Sequence, residues 1–175
     1  MANALTDPPF AANPPVKFNI DAKILGLVIG ILAIIGAVLN LFVGGLFSIF
    51  AFAGGFAFVW FLGVLIALIA DIVGAIGGFR MYNGDRSGKV LVIYALALGV
   101  LGSLVHLIGI LIAYSGIYAF GFTPVGDIIG FILTAVIYFL VYYIVVISRF
   151  PGDSPLAPTS YGGYGGTPPP PPPSV

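Results

Sequence analysis

Four long, uncharged or nearly uncharged apolar stretches dominate this chain, near Ile24–Val43, Phe56–Phe79, Lys89–Ser115 and Gly126–Ile147. Each reaches or exceeds the roughly 18–20 residues that a helix needs to cross a bilayer. They are apolar all round and lack the polar face of a soluble amphipathic helix. Only 7% of the 175 residues are charged, where soluble domains carry about 25%. The expected fold is therefore an all-α integral membrane protein, a four-transmembrane-helix bundle. Its expected divisions are a Pro-containing arm (1–19), a four-span membrane domain (20–149) and a Tyr/Gly/Pro-rich tail (150–175). Asn19 or Asp21 can cap the first helix, and the Asn83–Gly84 turn with Asp85 or Ser87 can open the third. Thr123 and Pro124 read as cap and first residue of the fourth.

The six basic residues set the orientation. Lys17 and Lys23 precede or open the first span, Arg80, Arg86 and Lys89 surround the second connection, and Arg149 follows the last span. Connections 44–55 and 116–125 hold no Lys or Arg. With an even number of spans every basic residue falls on one side, which the positive-inside rule makes cytoplasmic, so both termini are expected there. The first apolar run is long enough to be retained as a span rather than removed as a signal. The outer connection, two Gly pairs bracketing the uncharged octet 46–53, is expected at the interface or dipping partly into the membrane.

Thirteen of the fourteen prolines lie outside the membrane domain, four in residues 8–15 and nine after Phe150. Both terminal segments are therefore expected to be disordered, because they cannot bury enough apolar surface to fold alone. The run Pro168 to Pro173 should form a polyproline rod about 19 Å long, and with Tyr161 and Tyr164 it makes the tail a candidate partner-binding segment.

Composition removes several functions. Zero net charge leaves no basic surface for nucleic acid. The absence of Cys removes disulfides, Cys-ligated metals and thiol catalysis, and a single His cannot build a multi-histidine site. No metal site and no catalytic constellation are expected, so the chain reads as a non-enzyme.

An offset of 66 residues aligns Lys23 with Lys89 and the stretch Ile34–Leu41 with Val100–Leu107, superposing Asn40 on His106. Two repeated helical hairpins of like orientation would explain this, and so would chance matching of apolar segments. Spans two and four align poorly at that offset.

The polar residues within the spans are the candidate functional groups. Measured from the nearest basic anchor at ~1.5 Å per residue, Asp71 lies roughly 13 Å deep and Asn40 and His106 roughly 25 Å deep. That places Asp71, with Tyr138 and Tyr142, in an inner polar layer, and Asn40, His106 and Thr134 in an outer one. A carboxylate at a helix centre costs about 2.5–3.5 kcal/mol on the insertion scale, so Asp71 should face other helices. It serves either as a proton or cation relay or as an interhelical hydrogen-bond partner of Tyr138 or Tyr142. His106 can bond Asn40 or a backbone carbonyl, or ligate the metal of a haem or chlorophyll. Its pairing with Ser103 at i, i+3 lacks the orienting acid that a hydrolase needs.

Small residues mark the packing faces: Gly26 and Gly30, then Gly63, Gly74 and Gly78, then Gly99 and Ser103. Arg80, Arg86 and Lys89 are placed to meet anionic lipid head groups. The short-looped four-span layout with a Tyr/Gly/Pro-rich tail resembles vesicle tetraspan proteins, and the length and basic middle connection resemble small bacterial four-span proteins.

The leading functional expectation is a structural or accessory subunit of a larger membrane assembly, its partners being the lipid bilayer and other subunits or copies of itself. The alternatives are a homo-oligomeric transporter or channel using Asp71, and a pigment or haem subunit ligated through His106. Short connections and the lack of Cys favour a bacterial plasma membrane. The orientation has a direct check, because any introduced thiol is unique. A cysteine at Ser48 should react with an impermeant maleimide on intact cells, whereas one at Ser154 should react only after permeabilisation.

Overall fold

The computed structural model describes residues 4–11, 14–16, 18–45, 58–114 and 125–153. The tail positions Tyr161, Tyr164, Pro168 and Pro173, the Thr123–Pro124 cap and the octet 46–53 lie outside the described residues. Four helices are long and apolar enough to cross a membrane: α1 (Ala22–Leu39), α2 (Phe58–Tyr82), α3 (Ser87–Tyr114) and α4 (Val125–Ile147). A π-helical turn, Asn40–Gly45, continues α1, and a single 3-10 turn, Pro9–Ala11, lies in the N-terminal arm. The described residues contain no strand, only a parallel bridge between Asp21 and Arg149.

Local chemistry sets the helix ends. The Asp21 side chain accepts from Lys23 N at 2.7 Å, capping α1. Gly84, at φ +85°, turns the chain between α2 and α3, a conformation that glycine adopts without strain. Asp85 then caps α3, accepting from both Ser87 N and Ser87 Oγ at 2.8 Å. These bonds, the hydroxyl's first, hold the exposed Asp85 carboxyl below its ordinary 3.8.

The helices run up and down in a row: α2 packs most extensively on α3, α1 packs on α2, and α4 makes a slighter contact with α3. Lys23, Arg80, Arg86, Lys89 and Arg149 consequently share one end of the bundle, called here the basic end. The α2–α3 seam is made of backbone. A Cβ on Gly102 would lie 2.8 Å from Ala67 N, one on Gly77 2.9 Å from Gly88 O, and one on Gly109 would run into the backbone of Trp60. On α3 the small residues Gly88, Ala95, Gly102 and Gly109 recur every seventh position, the spacing of a seam between gently supercoiled helices. The α1–α2 seam uses four-residue spacing instead, with Gly26 and Gly30 against Gly78.

A compact apolar core fills the basic end, built from Ala22, Met81, Val92, Ile93, Val145, Val146 and Phe150, each at most 8% exposed. Phe150 was expected to begin the disordered tail. It is instead part of this core, and its N–H donates to Asp153, which also pairs with Arg86. The described part of the N-terminal arm departs from disorder as well. Phe10 stacks on Tyr143 at 5.5 Å and meets Tyr142 edge-on at 6.2 Å. The Tyr142 hydroxyl donates to Leu5 O at 2.8 Å, and the Tyr143 hydroxyl donates to Val16 O at 2.7 Å while accepting from Val16 N. The low apolar content of the arm counts for little once two tyrosines of α4 supply its surface and its hydrogen bonds.

The two hairpins do not pack alike, since the α1–α2 contact is far broader than the α3–α4 contact. The glycine geometry yields a stability test. Gly78→Val and Gly109→Val should each lower unfolding stability in micelles by about 1–3 kcal/mol, the usual cost of overpacking. Gly130→Ala, with nothing within 4 Å of its added Cβ, should be neutral or stabilise by up to about 1 kcal/mol through helix propensity.

Candidate functional site

The α1–α2 register carries Asp71 to the centre of the bundle. A Cβ on Gly84 would lie 3.2 Å from Lys23 Cε, and Ala33 stands opposite Gly74. Lys23 is thus level with Gly84, not with Arg80, and Asp71 lies roughly 20 Å from the basic end at ~1.5 Å per residue. Asn40 therefore belongs with Asp71 rather than in a separate outer layer, because Arg80 sits about one helical turn further in than Lys23, whereas His106 and Thr134 do line a separate cavity. Side chains on a helix lean towards its N-terminus. In an antiparallel pair Asn40 and Asp71 lean towards each other, and Asn40 Nδ2 donates to Asp71 Oδ2 at 2.6 Å. Gly36 makes the room, since a Cβ there would lie 3.1 Å from both carboxylate oxygens. The partner of Asp71 is thus Asn40, not Tyr138 or Tyr142, and Tyr142 is engaged with Leu5.

Above the apolar core, α1 and α4 do not pack along each other. Among the described residues they are tied at the basic end, where Ala22 N donates to Arg149 O at 2.7 Å and Arg149 N to Ile20 O at 3.1 Å. The space between them is a cleft of about 260 Å³ lined by residues of all four helices, among them Leu32, Gly36, Asp71, Ala95, Ile137 and Tyr138. Asp71 and Tyr138 are both half-buried there. Apart from Asp71 and Tyr138, the wall is apolar.

A second cavity of about 260 Å³ lies between α3 and α4 towards the end opposite the basic one, lined by Ser103, His106, Asp127 and Thr134 with neighbouring apolar residues and glycines. His106 does not reach Asn40. Its ring lies edge-on to Trp60 at 5.8 Å and 88°, and Trp60 Nε1 is buried with no hydrogen-bond partner among the described residues. Ser103 Oγ donates to Val100 O of its own helix at 2.9 Å, so it forms no dyad with His106.

The remaining expected residues separate by role. Gly26, Gly30 and Gly78 lie in the α1–α2 seam, Gly63 lies against His106 in the α2–α3 seam, and Gly74 faces both Ala33 and Ala95. Gly99 instead receives the ring of Tyr138, whose Cζ would stand 3.1 Å from a Cβ there. Lys89, expected at lipid head groups, has its ammonium on the carbonyls closing α4, Val146 O at 2.7 Å and Ser148 O at 3.0 Å. Arg86 pairs with Asp153, and Arg80 reaches Ser87 Oγ at 3.4 Å. Sequence reading missed Gly36, Gly77, Gly88, Gly102 and Gly109. The seven-residue spacing on α3 was the available signal for the last three.

The Asn40–Asp71 bond should be measurable by itself. Asn40→Ala should destabilise the protein by about 1–3 kcal/mol, because it strands a half-buried carboxyl. A double-mutant cycle with Asp71→Asn, read by unfolding in mixed micelles, should return a coupling of about 0.6–2 kcal/mol.

Compared with known protein families, curated proteins and solved structures, this chain matches none.

Proposed function

We propose that this chain is an integral membrane protein of the bacterial plasma membrane, its basic end and both termini cytoplasmic, serving as a structural or accessory subunit of a larger assembly. One observation carries the reading: α1 and α4 leave the Asp71 cleft unclosed while directing large apolar side chains outward beside it. Leu32 is 60% exposed and Ile137 55% exposed, and both border that cleft. Lipid tails filling the cleft would offer the carboxyl no hydrogen bond, whereas a neighbouring helix with a polar side chain at that depth would. The collection of basic side chains at one end supports the orientation. The proline-rich tail supports engagement of a partner outside the membrane.

A second reading, a proton or cation relay at Asp71, is favoured by the carboxyl's exposure to the cleft. Among the described residues Asn40 supplies its one hydrogen bond, which leaves acceptor capacity free.

Purification from the native membrane in mild detergent, followed by intact-particle mass, tests the leading reading. The wild-type chain should carry a stoichiometric second polypeptide, and Ile137→Trp, which fills the cleft without touching either glycine seam, should retain at least tenfold less of it. A particle of this chain alone overturns the subunit reading, and an undiminished partner overturns the cleft as its seat.

A further inference from the structure

We propose that Asp71 exchanges protons with the side opposite the basic end, through a water-filled vestibule between α3 and α4. The inference rests on the membrane-spanning part of the reading above and goes beyond it by assigning a path and a direction.

Three features lie in series along the bundle. At the basic end the core of Ala22, Met81, Val92, Val145 and Phe150 is closed and apolar, and the polar groups beside it, Tyr142, Ser148 and Lys89, each donate to a backbone carbonyl. Asp71 comes next, in the cleft. It is faced by Asn40 from α1 and by Tyr138 from α4, while α3 presents only Val92, Ala95 and Leu96 to the cleft. Beyond it, towards the opposite end, the second cavity is lined by Ser103 and His106 of α3 and by Asp127 and Thr134 of α4. Trp60 of α2 closes on the imidazole from the remaining side.

Tyr138 leads from the cleft towards the vestibule without itself lining the latter. It borders the Asp71 cleft and stands one helical turn from Thr134, which borders the vestibule. On the facing helix Gly99, which accommodates the Tyr138 ring, stands one turn from Ser103. Asp127, Thr134 and Tyr138 thus descend one face of α4 over about 16 Å, at ~1.5 Å rise per residue. The first of them is exposed and the last is half-buried.

The side-chain types select the species carried. Hydroxyls and a neutral imidazole each donate and accept hydrogen bonds, so a proton can be handed along them and along intervening waters. A volume near 260 Å³ holds several waters at roughly 30 Å³ each, and four polar side chains together with neighbouring waters supply the two to four partners that each needs. A metal cation would need ligands along the whole route, yet at the Tyr138 step one phenol is all that is offered. Polar side chains inside spans mark such routes when they line a cavity.

The experiment uses the full chain in lipid nanodiscs, with two readouts. In the first, Ser103→Cys and Thr134→Cys, each the sole thiol, should react with a charged methanethiosulfonate at least tenfold faster than Leu133→Cys, an exposed position on the apolar face of α4. In the second, infrared difference spectroscopy after a pH jump follows the Asp71 carboxyl, assigned through Asp71→Asn. Tyr138→Phe and Thr134→Val should slow its response at least tenfold without moving its midpoint, a kinetic effect that a purely structural role would not produce. Equal rates in these variants and the wild type overturn the proposal. So do vestibule thiols as protected as Leu133→Cys, and so does an Asp71 that never changes protonation between about pH 4 and 10. Failure of the membrane reading would show separately, as a chain that does not float with lipid vesicles.

Discussion

In an apolar surrounding two helices gain nothing by hiding leucines from each other, and what holds them is close packing of backbone. Here α2 and α3 meet along Gly63, Gly77, Gly88, Gly102 and Gly109, each set against backbone or Cβ atoms of the facing helix. Each such contact brings many atoms to van der Waals distance, individually worth only about 0.1–0.2 kcal/mol and collectively decisive. The placement of α1 follows, because its own glycines lock onto the opposite side of α2 at Gly78. That second lock fixes the height of Asn40 and so brings it within reach of Asp71.

The outer helix α4 is held by other means. Lys89 grips its final carbonyls, Arg149 is bridged to the start of α1, and Tyr142 and Tyr143 are bound by the N-terminal arm. All of these lie towards the basic end. Away from that end α4 has the Tyr138 ring seated on Gly99 and a broad exposed face. A bundle fastened firmly at one end and loosely along its remaining length leaves space where the fastening stops, and the Asp71 cleft and the Ser103–His106 cavity occupy that space.

The four long apolar helices were legible in the sequence because length and apolarity suffice to define them. Observed helix ends lie within a few residues of the expected ones, and the caps at Asp21 and Asp85 were legible as local chemistry. Depth was less readable. The estimate for Asp71 assumed that Arg80 and Lys23 lie level, but long basic side chains reach an interface from different heights. The α3 seam was hidden because four-residue spacing pointed to Gly99 and Ser103, whereas the helix turns Gly88, Gly102 and Gly109 towards α2. Long-range partners such as Leu5 for Tyr142 have no local signature at all.

The tyrosine latch has a consequence in time. Val16 and Leu5 bind α4 residues 127 and 137 positions further along the chain. At synthesis rates of about 5–20 residues per second, the arm waits roughly 7–30 s for its partner to be made. During that interval the arm is an unclaimed segment beside a growing hairpin pair, open to chaperones and proteases. Its docking then marks the moment at which the last helix has taken its place.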